Sequence, residues 1–97
     1  MGTDQFIAVA EFCRIYQTDI SFIQELEEYD LVEITIQEQS GFIDNDQLPQ
    51  LEQFIRLHEE LEINPAGIDA INNLLHKVEQ MQMEIRELRN RLRQFEA

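Results

Sequence analysis

Between residues 71 and 97 the chain repeats every seven residues: Ile71, Val78, Ile85 and Leu92 take the a positions, and Leu74, Met81, Leu88 and Phe95 the d positions. All eight are apolar, and neither Gly nor Pro interrupts them. Apolar residues alternately three and four apart make one narrow stripe along an α-helix. A helix of 27 residues is about 40 Å long, too long for the other seventy residues to cover completely. The eight residues are therefore expected to pair with a second copy, making the protein a homodimer. A parallel register sets Glu84 against Arg89 and Arg91 against Glu96, both attractive, so parallel pairing is open alongside antiparallel. The first half of the helix is expected to pack on its own body, because Ile68 and Leu75 broaden the apolar face there.

Upstream, Asn64 is placed to cap this helix and Pro65 to fill its first position, where the missing N–H costs nothing. Residues 1–64 are then a body and residues 65–97 a rod. In the body, Val9, Phe12, Cys13 and Tyr16 recur at helical spacing until Thr18 and Asp19 break the pattern. A second short helix follows, with Ile23 and Leu26 facing inward, Ile20 or Phe22 behind them and Tyr29 ahead; Ser21 with Gln24 has capping-box spacing, and Asp19 is the rival cap. Two helices joined this tightly make a helix-turn-helix. Val32, Ile34 and Ile36 alternate with Glu33, Thr35 and Gln37, the period of a half-buried strand. A turn over residues 37–41, with its Ser and Gly, and a return through Phe42 and Ile43 complete a β-hairpin wing. Asn45 or Asp46 caps a third helix with Pro49 in its first turn; Leu48, Leu51, Ile55 and Leu61 form its stripe, flanked by Phe54, Leu57 and His58. The expected fold is mainly α: a winged helix-turn-helix with a small wing and a long C-terminal coiled-coil helix.

Charge separates body from rod. Residues 1–70 hold sixteen acids against Arg14 and Arg56, whereas residues 71–97 hold five bases and four acids. A winged helix that reads DNA sets Lys and Arg against the phosphates, and those contacts supply much of the attraction. Here the second helix carries Glu25, Glu27, Glu28 and Asp30, and the hairpin adds Glu33, Glu38 and Asp44. That distribution repels a polyanion and steers a cationic protein surface toward it. Glu25, Glu28 and Glu33, with Glu52, Glu59 and Glu60 on the third helix, are the candidate partner-binding residues.

The segments EFCRIYQTDISFIQELEEYDLVEI and IRLHEELEINPAGIDAINNLLHKVEQMQMEI resemble the chaperone-modulator family, CbpM, itself akin to MerR-type regulators, over nearly the whole chain. The resemblance implies a cytoplasmic protein that binds the J-domain of a DnaJ-like, CbpA-type co-chaperone and blocks its action on DnaK. Because such J-domains present a basic helix to DnaK, an acidic competitor would inhibit by exclusion. Two positions depart from the related patterns. Asp30 stands where these sequences usually have Gly, and Gln24 stands where the second helix of MerR regulators usually carries an Arg on phosphate. Asp tolerates a left-handed backbone better than most residues, so the turn should survive with some strain.

No catalytic or metal-binding constellation emerges from two His, one Cys and no Gly-rich loop, so neither enzyme activity, cofactor nor metal is expected. Cys13 reads as a small buried hydrophobe, and Leu57 and His58 as core or cap residues. The longest apolar runs are far short of the roughly 20 residues that span a bilayer. Two other functions are open: a MerR-like DNA-binding regulator, and a coiled-coil adaptor for an unrelated basic partner.

Overall fold

The computed structural model describes residues 5–96; the ends of the expected body and rod, residues 1–4 and 97, lie outside them. The chain runs β1 (Phe6–Ala8), α1 (Val9–Tyr16), α2 (Ile20–Glu28), β2 (Ile34–Gln37), β3 (Ser40–Asp44), a 3-10 turn (Asn45–Gln47), α3 (Leu48–Leu61) and α4 (Pro65–Glu96). This is the expected mainly helical, winged helix-turn-helix with a long terminal helix.

The wing has three strands, not two. β1 pairs antiparallel with β3 through Phe6 and Asp44, Ile7 and Ile43, Ala8 and Phe42, giving the order β1-β3-β2. β2 and β3 pair from Ile34 opposite Ile43 to Gln37 opposite Ser40, which leaves Glu38 and Gln39 as the turn. Both have positive φ, 50° and 67°, the two-residue form whose twist matches that of the flanking strands. Gly41 therefore does not make the turn; it sits inside β3 opposite Ile36. A Cβ there would lie 2.9 Å from Ile34 Cγ2 and 3.3 Å from Val9 Cγ2, so close packing accounts for the glycine.

The body's core is one cluster in which α1 places Val9, Phe12 and Cys13, and α2 places Phe22, Ile23 and Leu26. The loop before β2 contributes Val32 and β3 contributes Ile43, α3 contributes Leu51, Phe54 and Ile55, and α4 contributes Ile68. Three assignments change. Ile20 at the start of α2 and Tyr29 just past its end are exposed, because the inward face is the arc of Phe22, Ile23 and Leu26 alone. Leu61 is exposed at 64%, lying beyond the last turn of α3 that meets the body, and Phe54 replaces it in the buried stripe. β2 starts at Ile34, two residues later than the alternation suggests: Val32 is buried just ahead of it, whereas Ile36 near its outer end is 67% exposed.

The helix caps also differ in detail. Asp19 is the N-cap of α2 but its side chain accepts no capping bond, and the Ser21–Gln24 capping box does not form. Asp44 caps the 3-10 turn, its Oδ1 accepting from the Asp46 N–H at 2.9 Å. α3 starts at Leu48 with Pro49 in its first turn, and its own N-cap, Gln47, makes no side-chain capping bond. Asn64 caps α4 as expected, its Oδ1 accepting from the Gly67 N–H at 2.8 Å.

α2 ends with the Leu31 N–H donating to the Leu26 carbonyl and the Asp30 N–H to the Glu27 carbonyl, both at 2.9 Å. This bond pair requires a left-handed residue at position 30, and Asp30 supplies it at φ 58°. α1 and α3 also end on a left-handed residue, Gln17 at φ 53° and Glu62 at φ 55°. A non-glycine residue there is held in a disfavoured region. Asp30→Gly and Gln39→Gly are each expected to raise stability by about 0.5–1 kcal/mol, the relief of that backbone exceeding glycine's greater unfolded-state freedom. Denaturant titration checks this; a loss of stability in both variants would contradict it.

Among the described residues, α4 is buried against the body only at its start. Pro65 and Ile68 are buried, Ile71 and Asn72 partly so, and the Gln50 amide donates to Asn72 Oδ1 at 3.1 Å. Residues 73–96 are exposed throughout, so the body covers about the first two turns of the rod rather than its first half.

Candidate functional site

In a winged helix-turn-helix the second helix and the wing form the face that meets a ligand. Three residues, 17–19, link α1 to α2. α2 is anchored by Phe22, Ile23 and Leu26, which leaves Ser21, Gln24, Glu25, Glu27 and Glu28 exposed. The wing is held to α3 by Gln47, whose side-chain oxygen accepts from the Glu33 N–H at 2.7 Å while its amide donates to the Glu33 carbonyl at 2.9 Å. Those two bonds fix the base of the wing and occupy the backbone of Glu33, leaving its carboxylate exposed.

All six candidate acids are exposed, but they do not converge on one spot. Glu25 and Glu28 lie one turn apart on α2. Glu33 borders a depression at the wing base with Asp30, Leu31, Val32 and Gln47. Glu52 accepts a hydrogen bond from Tyr16 Oη at 3.1 Å, beside the stack of Phe12 on Tyr16 with ring centres 4.4 Å apart. Glu59 lines a separate depression of about 430 Å³ with Asp19, Phe22, His58 and Glu62, at the helix-turn-helix corner. Glu60 is exposed one residue further along α3.

His58 belongs to the scaffold: its ring stacks on Phe22 at 4.3 Å, and Nδ1 donates to the Ile63 carbonyl at 2.9 Å, fastening the α3–α4 corner. The Leu57 carbonyl receives the Ile63 N–H at 3.3 Å in the same turn.

Glu27, passed over in the candidate set, turns toward the wing and lines a groove with Ile20, Gln24, Ile34 and Ile36. The available signal was its phase: at about 100° per residue Glu27 falls near Ile20 and Gln24 on the wheel, away from Glu25.

No Lys, Arg or His occurs between Arg14 and Arg56, so α2, the wing and the start of α3 contribute negative side chains only. Arg14 lies 3.6 Å from Glu11 in an exposed pair of little energetic weight. Burial, then the charge of Asp19, pushes the Cys13 thiol up. Burial, then the hydrogen bond and charge of Glu52, pushes the Tyr16 phenol up. Both groups are therefore protonated at neutral pH. Among the described residues no group of three or more His, Cys, Asp or Glu is arranged to hold a metal, and no helix is long and apolar enough to cross a membrane.

No curated protein and no solved structure matches the chain. The family model described as MerR HTH family regulatory protein matches residues 7–90, which takes in α1, α2, the wing, α3 and most of α4. The chain belongs to the MerR-type helix-turn-helix family of regulatory proteins.

Proposed function

We propose that this regulator acts by binding protein rather than nucleic acid: it captures the J-domain of a DnaJ-like, CbpA-type co-chaperone in the cytoplasm and so keeps it from stimulating DnaK. The observation that carries the proposal is the sign of the charge. Forty-one consecutive residues, 15–55, span the recognition helix and wing without one Lys, Arg or His. Bringing that surface to DNA would forfeit the counterion release that drives most phosphate binding. The same field speeds encounter with a basic helix and disfavours anionic competitors. Inhibition then needs no catalysis, since covering the basic helix of a J-domain is sufficient to exclude DnaK. Seven seam residues from Leu74 to Phe95 that are 47–90% exposed support a homodimer as the working unit.

Family membership favours a second reading, a DNA-binding regulator, and one experiment separates the two. The full chain is titrated calorimetrically with an isolated CbpA-type J-domain and with mixed-sequence duplex DNA at about 0.15 M salt. Binding to the J-domain alone is expected, and the double variant Glu25→Lys/Glu28→Lys is expected to weaken it by about tenfold or more with a shallower salt dependence. Salt-sensitive DNA binding would replace the proposal with the second reading. Silence toward both would leave an adaptor assembled through the rod.

A further inference from the structure

The wing and α2 enclose a groove of about 360 Å³ whose walls are aliphatic: Ile20 from the first turn of α2, and Ile34 and Ile36 two apart on β2. Its floor is Gly41, where a side chain would meet Ile34 and Val9 and fill the hollow. Ile20 stays 47% exposed and Ile36 67% exposed, so neither is consumed by the core. Branched aliphatic side chains facing one another across an open groove, on the fold's usual recognition face, mark a binding surface rather than a packing requirement. Gln24 and Glu27 border the groove, and Glu27 has neighbours of its own sign at Glu25 and Glu28.

We infer that this groove seats the apolar side chains of a cationic amphipathic helix of a partner protein, with that helix's Lys or Arg residues lying over Glu27. The inference rests on the proposal that the partner is a cationic polypeptide, and it adds where the apolar half of the contact lies. The occupant is set by complementarity. An apolar trough edged by carboxylate suits a helix with aliphatic residues at i, i+3 or i+4 and bases beside them, whereas the acidic body of a second copy carries the wrong charge. Apolar anchors at the centre and charges at the rim divide the labour, the first slowing dissociation and the second speeding association.

The test uses ¹⁵N-labelled full-length protein, titrated separately with an 18-residue synthetic Leu/Lys amphipathic peptide and with an isolated J-domain. Chemical-shift changes are expected to concentrate on Ile20, Gln24, Glu27, Ile34, Ile36 and Gly41. The exposed double variant Ile20→Ser/Ile36→Ser should keep its circular dichroism and melting profile yet bind both probes about tenfold or more weakly. Glu27→Gln should mainly flatten the salt dependence. Unaltered affinity of the double variant, or shifts mapping to α3 and the helix-turn-helix corner, would overturn the groove while leaving J-domain binding intact. A J-domain that fails to bind, beside a peptide that binds in the groove and is lost in the variant, would remove the J-domain proposal and retain the groove. Failure of both probes to reach these residues overturns it. So do groove shifts that appear on concentrating the protein alone, which would assign the groove to a second copy.

Discussion

Stopping the chain after Gln80 is expected to convert a particle of twice the 11.5 kDa chain mass into a single copy, read by size-exclusion chromatography with light scattering. The deleted part contains Met81, Ile85, Leu88, Leu92 and Phe95, which are 47–90% exposed in the isolated chain. Burying such side chains contributes roughly 1.5–3 kcal/mol each when complete. Even after the several kcal/mol that association costs, a seam of this length leaves enough for a dimer at micromolar concentration or below. The rod is also expected to gain from a partner for its own sake, because residues 73–96 are exposed throughout and helices of this kind owe most of their stability to packing. Leu88→Glu should separate the copies as well, since it sets a carboxylate at the middle of the seam without removing any helix. An unchanged mass for both variants would remove the homodimer from the proposal.

Leu26→Ala is expected to cost about 2–5 kcal/mol, against a total stability of order 5–15 kcal/mol for a domain. Leu26 is fully buried in the body's single core cluster, and its carbonyl holds the Leu31 N–H that closes α2. For a chain of this size the loss corresponds to a melting temperature lower by roughly 10–30 °C. Leu61→Ala, the same chemical change at a 64% exposed position, should cost under about 0.5 kcal/mol. Thermal and guanidinium unfolding of the pair check the assignment of the core. Equal losses would place Leu61 inside, as its spacing in the sequence suggests.

That contrast shows where the sequence was legible. The rod was readable because its heptads repeat without interruption, and α1 and the Asn64 cap because local chemistry alone determines them. The third strand was not, because three residues, Phe6 to Ala8, carry no alternation and acquire their meaning only by pairing with β3, more than thirty residues away. The turn at Glu38 and Gln39 was hidden for another reason: neither residue favours a left-handed backbone, whereas Gly41 nearby advertises one it does not adopt. The acidity of the recognition face was visible in the composition of residues 15–55. The groove was not, since Ile20 and Ile36 read as core residues until the wing shows them facing each other across open space.

The bare length of α4 sets a spacing. Residues 73–96 extend about 36 Å, whereas mobile ions at physiological strength damp a surface charge over roughly 8 Å. Two copies running head to tail would hold their acidic lobes several damping lengths apart, each free to engage its own partner molecule. Two copies running side by side would press the lobes together, and added salt would tighten that union markedly. Dimer affinity measured against ionic strength therefore reports the polarity of the pair: nearly flat for opposed rods, steeply rising for aligned ones.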